Sequence, residues 1–438
     1  MGILPYRRSK VKRSWAVAAR FAIINAPPSP GSAVGRQSAQ LVIVGAGPAG
    51  SACALHAARD GLEVLLLEKR QQVGFPVRCA EAVGREGFAA ELAAEPAFFP
   101  DGPAGDPAPG MLADFIDGGA LVAPDGTTAY LEKPRVGYVL ERKIFDLLLA
   151  EEAVRCGTEL WTKARAVGLR RDGDRWRIIV QRHGSRMELE TPLVVGADGV
   201  EGLVGRWAGL KKPLKPGEIH SCAQVLAAGL GDEIRPRSVY FHLGSRLAPR
   251  GYLWIFPKGP GRANIGLGLR GPVEGPPARA HLEAFLNANF PGAGVLEEVH
   301  GCVPTTEPPT DLAADGLLLI GDAARQVDPF SGAGINWALE AGRLAAETAA
   351  AALTAERTPT LERLKTYERN WRRAHRREHQ KLLRVKNFVD ELTDEEINRA
   401  AAALAASTDE LGEFSVGRML GHILRRDPGL LWKARKLL

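Results

Sequence analysis

Acidic residues are missing from the first 38 positions, which carry Arg and Lys throughout and end in "NAPPSPGSAVGRQS". That composition reads as a basic, disordered N-terminal extension or a transit peptide. Arg20 interrupts its only apolar stretch, which makes a poor secretion signal. Nowhere does an uncharged apolar run reach the roughly 18 residues of a membrane-spanning helix. Paired cysteines are missing too. The five present (Cys53, Cys79, Cys156, Cys222 and Cys302) are scattered, odd in number and without a C-x-x-C pair. A disulfide framework, a zinc knuckle and a four-cysteine iron–sulfur site are therefore disfavoured, no metal is expected, and a reducing, cytoplasmic setting fits best.

What is there is an ordinary globular composition, 45% hydrophobic and 25% charged over 438 residues, longer than one core usually supports. A net charge of +6 suits an anionic partner, either a phosphate-bearing ligand or an acidic lipid surface. No nucleic-acid partner is expected.

The segment "QLVIVGAGPAGSACALHAARDGLEVLLLEKR" runs a buried strand (Leu41 to Val44) into Gly45-x-Gly47-x-x-Gly50, then an Ala-rich helix, then a strand ending at Glu68. Each residue type has a mechanical reason in a dinucleotide-binding βαβ unit. Gly45 permits the turn, Gly47 lets backbone approach a pyrophosphate, and Gly50 lets helix pack on strand. The helix N-terminus offers free N–H groups to phosphate, and Glu68 can accept from a ribose diol. Cys53 sits on that helix as core. Two later apolar strands deliver Asp198-Gly199 and Gly321-Asp322 to the end of the same kind of sheet. No second complete G-x-G-x-x-G unit follows, so a separate NAD(P) domain is not expected.

Residues 216–300 change character. Segments such as "RSVYFHLG", "GYLWIFPKG" and "RANIGLGL", broken by Gly and Pro, predict an antiparallel sheet that serves as a substrate platform. On a strand, residues two apart share a face, so Tyr252, Trp254 and Phe256 form one aromatic wall while Leu253 and Ile255 face away. Pro257 ends that strand. Gly266 and Gly268 on the next strand leave room for a ligand or for close backbone approach.

The glycine loop, the "DG" pair and "GDAARQVDPFSGAGI" together resemble FAD-dependent oxidoreductases of the para-hydroxybenzoate hydroxylase-like fold. Within these, P-x-x-Y-x-W-x-F-P from Pro249 to Pro257, followed by eight residues and G-x-G, resembles the signature of the geranylgeranyl reductase family. "GFPVRCAEAVG" (residues 74 to 84) is similar to a second family segment, with Ala80 and Ala82 where glycines are common, and Arg325 and Pro329 suit the same group. The similarity covers residues 39 to about 400. It implies an α/β fold with an FAD-binding Rossmann-like domain, an antiparallel β substrate domain and a C-terminal helical region. The domain bounds that follow are an extension at 1–38, FAD binding at 39–215 with a substrate-domain insertion around 85–135, substrate binding at 216–300, FAD binding again at 301–355, and helices at 356–438.

The resemblance further implies FAD held by Gly45, Gly47, Pro48, Ala49, Gly50, Glu68, Lys69, Arg78, Cys79, Arg142, Asp198, Gly199, Gly321, Asp322, Pro329, Gly332, Gly334 and Ile335. Asp322 would bond the ribityl chain, and the helix entered near Gly334 would aim its N-terminus at the flavin. Where the family has a serine after "DG", this chain has Gly202, which predicts a looser site around Asp198. The implied activity is saturation of polyprenyl double bonds, with hydride from reduced flavin, a proton from Cys79 or Tyr252, and electrons from NADPH or a ferredoxin-like protein. A cation next to Cys79, Arg78, would lower its pKa if the two side chains converge. The aromatic faces would steady cation character on the alkene. The substrate is a polyprenyl lipid or prenyl diphosphate, and the basic stretch "YERNWRRAHRREHQKLLRVKNF" suits the inner face of a membrane. An aromatic monooxygenase or halogenase is the nearest competing reading, although halogenases carry W-x-W-x-I-P where Tyr252 and Phe256 stand here. A flavin-bearing prenyl-lipid binding protein without turnover is the reading from outside enzymology.

Overall fold

The structure is a computed structural model that describes residues 37–102, 105–231, 234–272, 275–353, 358–406 and 416–434. Residues 1–36, and with them most of the basic extension, lie outside the described residues.

Short apolar runs make a six-stranded sheet in the order Ala313–Ala314, Leu317–Leu319, Leu193–Gly196, Leu41–Val44, Val64–Leu67, Glu159–Trp161. Its pairings are parallel apart from the first. The middle strands Leu41–Val44, Val64–Leu67 and Leu193–Gly196 are buried along their whole length, as expected of a sheet covered on both faces. Helix Pro48–Arg59 packs on helices Ile335–Leu353 and Arg142–Arg155. Small residues set how close they come: a side chain at Gly342 would lie 2.6 Å from the Ala49 carbonyl oxygen. The Ala-rich sequences of both helices are therefore a packing requirement.

The second sheet has eight strands, in the order Gly294–Pro304, Ile219–Ala228, Arg262–Arg270, Tyr252–Pro257, Ser238–His242, Leu112–Val122, Thr128–Leu140, Ala82–Gly84. It departs from the antiparallel expectation at one pairing. It is mixed, because Ser238–His242 pairs parallel to Leu112–Val122 with Tyr240 opposite Ala120. It also takes in strands from outside 216–300: Leu112–Val122 and Thr128–Leu140, largely from the stretch around 85–135 assigned above to the substrate domain, together with Ala82–Gly84, and the edge strand runs on to Pro304. Alternation marks a strand but not its partner, so residues 216–300 alone could not reveal pairing with strands a hundred positions earlier.

The two faces of this sheet are used differently. Leu253, Ile255, Ile265 and Leu267 share a core with Leu282 and Phe285 of helix Ala278–Asn289. Trp254 and Phe256, on the other face, cluster with Ile116, Val139 and Val239. The C-terminal region is helical where described, led by Leu361–Val389 and Asp394–Ala405. The latter opens with a capping box, in which Thr393 Oγ1 accepts from the Glu396 N–H and Glu396 Oε2 accepts from the Thr393 N–H. Its Ile397, Ala401 and Leu404 pack on Ala123, Ala129 and Leu131.

Candidate functional site

One cavity of about 1030 Å³ runs between the six-stranded and the eight-stranded sheets. Its lining includes Gly45, Gly47, Glu68, Asp198 and Asp322 from the parallel sheet, and Tyr252, Trp254, Phe256 and Gly268 from the mixed sheet. The glycine loop and the aromatic wall therefore share one space, which the sequence placed two hundred residues apart.

On the nucleotide side, Gly45 takes φ +108°, and a side chain there would meet the Ala197 carbonyl at 2.3 Å. Gly47 has open space where a side chain would point. Glu68 accepts from the Ala46 N–H at 3.1 Å and the Arg70 N–H at 2.8 Å, which fixes its carboxylate at the cavity wall. Pro48, Ala49, Lys69, Gly199, Gly321, Gly332, Gly334 and Ile335 also line the cavity. Helix Ile335–Leu353 begins there, N-terminus inward.

Four expected contacts do not reach it. Gly50 lies behind the loop, where a side chain would sit 1.8 Å from the Gly45 carbonyl oxygen. Gly266 makes room for an indole, since its missing side chain would be 2.5 Å from the Trp254 ring. Pro257 is buried and closes its strand opposite Ala263. Pro329 belongs to a turn fastened by Asp328, whose carboxylate accepts from the Phe330 and Ser331 N–H groups and the Ser331 hydroxyl.

The wall is larger than a triplet. Tyr252 and Trp254 meet edge to face at 5.8 Å, and Phe241 joins Tyr252 and Phe256 at 5.6 Å each. Phe241 and Val239 line the cavity from the neighbouring strand. Their alternation in "RSVYFHLG" was the available signal. The Tyr252 hydroxyl donates to the Ser331 carbonyl, and burial pushes its pKa above the ordinary tyrosine value.

Cys79 sits at the junction. Its Sγ accepts from the Glu81 N–H at 3.2 Å. Burial pushes the thiol up, and the cation that pulls it the other way is Arg142, not the chain neighbour Arg78. The expectation of a lowered thiol pKa is thereby corrected, since desolvation outweighs the guanidinium. Arg142 is itself held by Asp146 through Nε at 2.8 Å and Nη2 at 2.6 Å. Glu81 organises this corner and had not been singled out in the sequence. One carboxylate oxygen accepts from Lys258 Nζ at 2.6 Å and Asn264 Nδ2 at 2.7 Å, the other from the Arg142 N–H at 2.8 Å.

The Gly202 departure also has a physical account. Gly202 takes φ +49°, and the position of its missing side chain is 1.9 Å from Lys211 Nζ. Lys211 donates to the Ala323 carbonyl at 2.8 Å, so it ties the "DG" loop to the "GD" loop and fills the space. Burial lowers its pKa to about 8, against the pull of Asp198. The space that a side chain at Gly202 would take is filled by Lys211.

FAD fits these residues. The open approach at Gly47, the fixed Glu68 carboxylate and a buried Asp198 Oδ1 without a partner among the described residues all belong to one cavity. Burial raises both Asp198 and Asp322, as it does for carboxylates awaiting a polar partner. A glycine-rich turn into a helix, two late acid-bearing turns and a mixed second sheet define the FAD-dependent oxidoreductase class with a Rossmann-like nucleotide domain.

Comparison with known proteins narrows this. Residues 218–303 match the geranylgeranyl reductase catalytic domain, residues 43–104 an NAD(P)-binding Rossmann-like domain, and residues 118–239 and 306–381 an FAD binding domain. A digeranylgeranylglycerophospholipid reductase of Methanothrix thermoacetophila is 40% identical over 405 residues, covering 91% of this chain and 98% of that protein. A geranylgeranyl bacteriochlorophyll reductase-like protein from Thermoplasma acidophilum superposes with a TM-score of 0.82 at 28% identity, covering 92% of this chain and all of that one. The flavin-dependent brominase Bmp2, as a triple mutant, shares the fold at 18% identity with a TM-score of 0.65, covering 89% of this chain and all of that one. The chain belongs to the geranylgeranyl reductase family.

Proposed function

We propose that this chain is a flavin-dependent reductase that saturates carbon–carbon double bonds of a polyprenyl chain, in a lipid of the class for which its relatives are named. The observation that carries the reading is the shared cavity, in which the residues that fit FAD face an apolar compartment walled by Tyr252, Trp254, Phe256 and Phe241. Burial of hydrocarbon, at about 0.8 kcal/mol per CH₂, holds such a substrate without polar anchors along its length.

Reduced FAD, when bound, supplies a hydride. An isolated trisubstituted alkene is not electrophilic, so a proton must reach its less substituted carbon as hydride reaches the other, leaving two new C–H bonds. Cys79 is suited to hold that proton, since burial keeps its thiol protonated at the junction of the two compartments. The wall rings would steady tertiary cation character on the alkene, each face contributing on the order of 0.5–2 kcal/mol. Tyr252, tied to Ser331, acts as a positioned ring first and a donor second. Electrons arrive from a transient donor, NADPH or a ferredoxin-like protein, in keeping with the lack of a second dinucleotide loop in the sequence. All five cysteines are free, which suits a cytoplasmic setting at the inner face of a membrane.

The test is anaerobic. Photoreduced holoprotein is mixed with a geranylgeranyl lipid, and the flavin spectrum is followed with mass spectrometry of the lipid. Reoxidation coupled to a gain of two hydrogens per double bond is expected. Reoxidation only on admitting oxygen, or none at all, overturns the reading.

A further inference from the structure

Six large apolar side chains stand exposed among the described residues, and four of them lie on three chain segments that meet. These are Phe75, Ile144, Val295 and Leu296, between 40% and 57% exposed. Lys143 links the segments. Its ammonium lies 5.4 Å from the Phe75 ring centre and pairs with Glu297, which follows Leu296, while Ile144 is its chain neighbour. Two close approaches join the same segments: a side chain at Gly74 would be 3.3 Å from Lys143 Cα, and one at Gly301 would be 3.6 Å from Arg78 Cβ. A loop, a helix start and the outer strand of the mixed sheet thus meet in one rim.

The rim continues into the cavity. Gly74 and Pro76, on either side of Phe75, line it, and so do Arg78, Arg142, Val299 and Gly301 from the same segments. The four exposed side chains themselves do not. Soluble proteins rarely leave such clusters bare without a partner for them. The long helix Leu361–Val389 offers a contrast: it turns Arg and Lys outward and none of the exposed large apolar side chains lies on it.

We infer that the rim of Phe75, Ile144 and Leu296 is the face that enters a lipid bilayer, so that a polyprenyl chain passes from membrane to cavity without crossing water. The inference rests on the polyprenyl reading for its substrate, but the surface itself is tested without turnover. Apolar side chains at a rim enter the interfacial region, and the exposed Arg78 beside them meets lipid phosphate. The basic helix, offered in the sequence as the membrane face, lacks side chains that could enter.

Full-length holoprotein is sedimented with vesicles of phosphatidylcholine and phosphatidylglycerol. Phe75→Ser with Leu296→Ser is expected to weaken partition about tenfold for each side chain removed. Thermal unfolding and turnover of detergent-dispersed substrate stay near wild type, because neither side chain lines the cavity. Arg376→Ser with Arg377→Ser on the long helix leaves partition within about twofold, as expected for removal of two surface charges beyond the contact. Unchanged partition of the rim variant overturns the inference, as does loss confined to the helix variant. A concentration-dependent dimer broken by the rim substitutions reassigns the face to a second copy and also overturns it. Wild-type vesicle binding without turnover in detergent sinks the polyprenyl reading alone and leaves the surface standing.

Discussion

The indole Nε1 of Trp254 donates to Gln224 Oε1 at 2.9 Å, and the amide nitrogen of the same glutamine donates to the Cys79 carbonyl at 2.9 Å. One side chain thus sets both the tilt of the wall and the place of the thiol. Gln224→Leu leaves a buried indole N–H and a buried carbonyl unpaired, each at a cost of about 1–3 kcal/mol. Turnover should fall at least about tenfold, the scale of one such loss, while FAD content stays near one per chain. Flavin absorbance gives the content, and lipid mass spectrometry gives the turnover. A variant as active as wild type means that Trp254 is held by packing alone.

Glu81 and Lys258 form a buried pair, each side chain 4% exposed. Lys258 has a second partner in Glu141 at 3.0 Å, and that carboxylate is partly solvated. Glu81→Gln removes the charge that neutralises a buried ammonium, a class of change that costs about 3–5 kcal/mol, less here because Glu141 remains. Glu81→Gln with Lys258→Met should recover much of the loss. Denaturant unfolding of the two variants decides it, and a double variant no better than the single one shows that Glu81 acts instead through Asn264 and Arg142.

How far the sequence carried the reading depends on what holds each part. The glycine loop, Glu68 and the face shared by Tyr252, Trp254 and Phe256 were legible because short-range geometry dictates them: a turn needing Gly45, a strand with period two. The tertiary partners were not. Nothing local to Gln224 says that it spans Trp254 and Cys79, and nothing local to Lys211 says that it fills the space beside Gly202. Gly266 reads in sequence as leaving room for a ligand or for close backbone approach, and the Trp254 ring and the Ala223 carbonyl take that space. Arg78 would act on the Cys79 thiol only if the two side chains converged, whereas folding brings Arg142 to it and burial sets the net direction. Period and turn chemistry are local, while desolvation and cross-sheet contact are not.

Gly202 and Lys211 should behave as a coupled pair. Gly202→Ser places a side chain where the Lys211 ammonium lies, in a backbone conformation that non-glycine residues disfavour by about 1 kcal/mol. The single variant should lose stability and FAD affinity. Adding Lys211→Ala removes the collision and should restore part of both. Fluorescence titration of the apoprotein with FAD and thermal unfolding supply the two readouts. If the two effects simply add, the 1.9 Å approach carries no energy and the site is as loose as the sequence suggested.

His242 predicts a direction with pH. Burial lowers its pKa from 6.5 to about 4, and its Nε2 has no partner among the described residues. Between those values the unfolded chain takes up a proton that the folded chain refuses. The stability this residue contributes is therefore full above about pH 6.5 and lost as pH falls toward 4. Leucine at this position cannot titrate. The Tm of His242→Leu relative to wild type should rise on going from about pH 7.5 to about pH 5, following that linkage. A relative Tm that falls over the same range contradicts a neutral, buried imidazole.

The proton donor is the remaining choice, and the two candidates differ in what else they do. Cys79 lies between the compartments with its thiol held protonated by burial, whereas the Tyr252 hydroxyl is already committed to the Ser331 carbonyl. Tyr252→Phe keeps the ring and loses one hydrogen bond, so turnover should drop by no more than about tenfold. If Cys79 moves the proton, as proposed, Cys79→Ala should lose about 10²–10⁴ in turnover, the scale that attends the removal of such groups. The solvent deuterium isotope effect separates chemistry from packing. It should be present in wild type and Tyr252→Phe, and should change in Cys79→Ser, where a hydroxyl of much higher pKa takes the thiol's place. FAD content and the Tm of all three variants should stay close to wild type. A Cys79→Ala enzyme that keeps most of its turnover and its isotope effect removes the thiol from the reaction and moves the assignment to Tyr252 or to solvent.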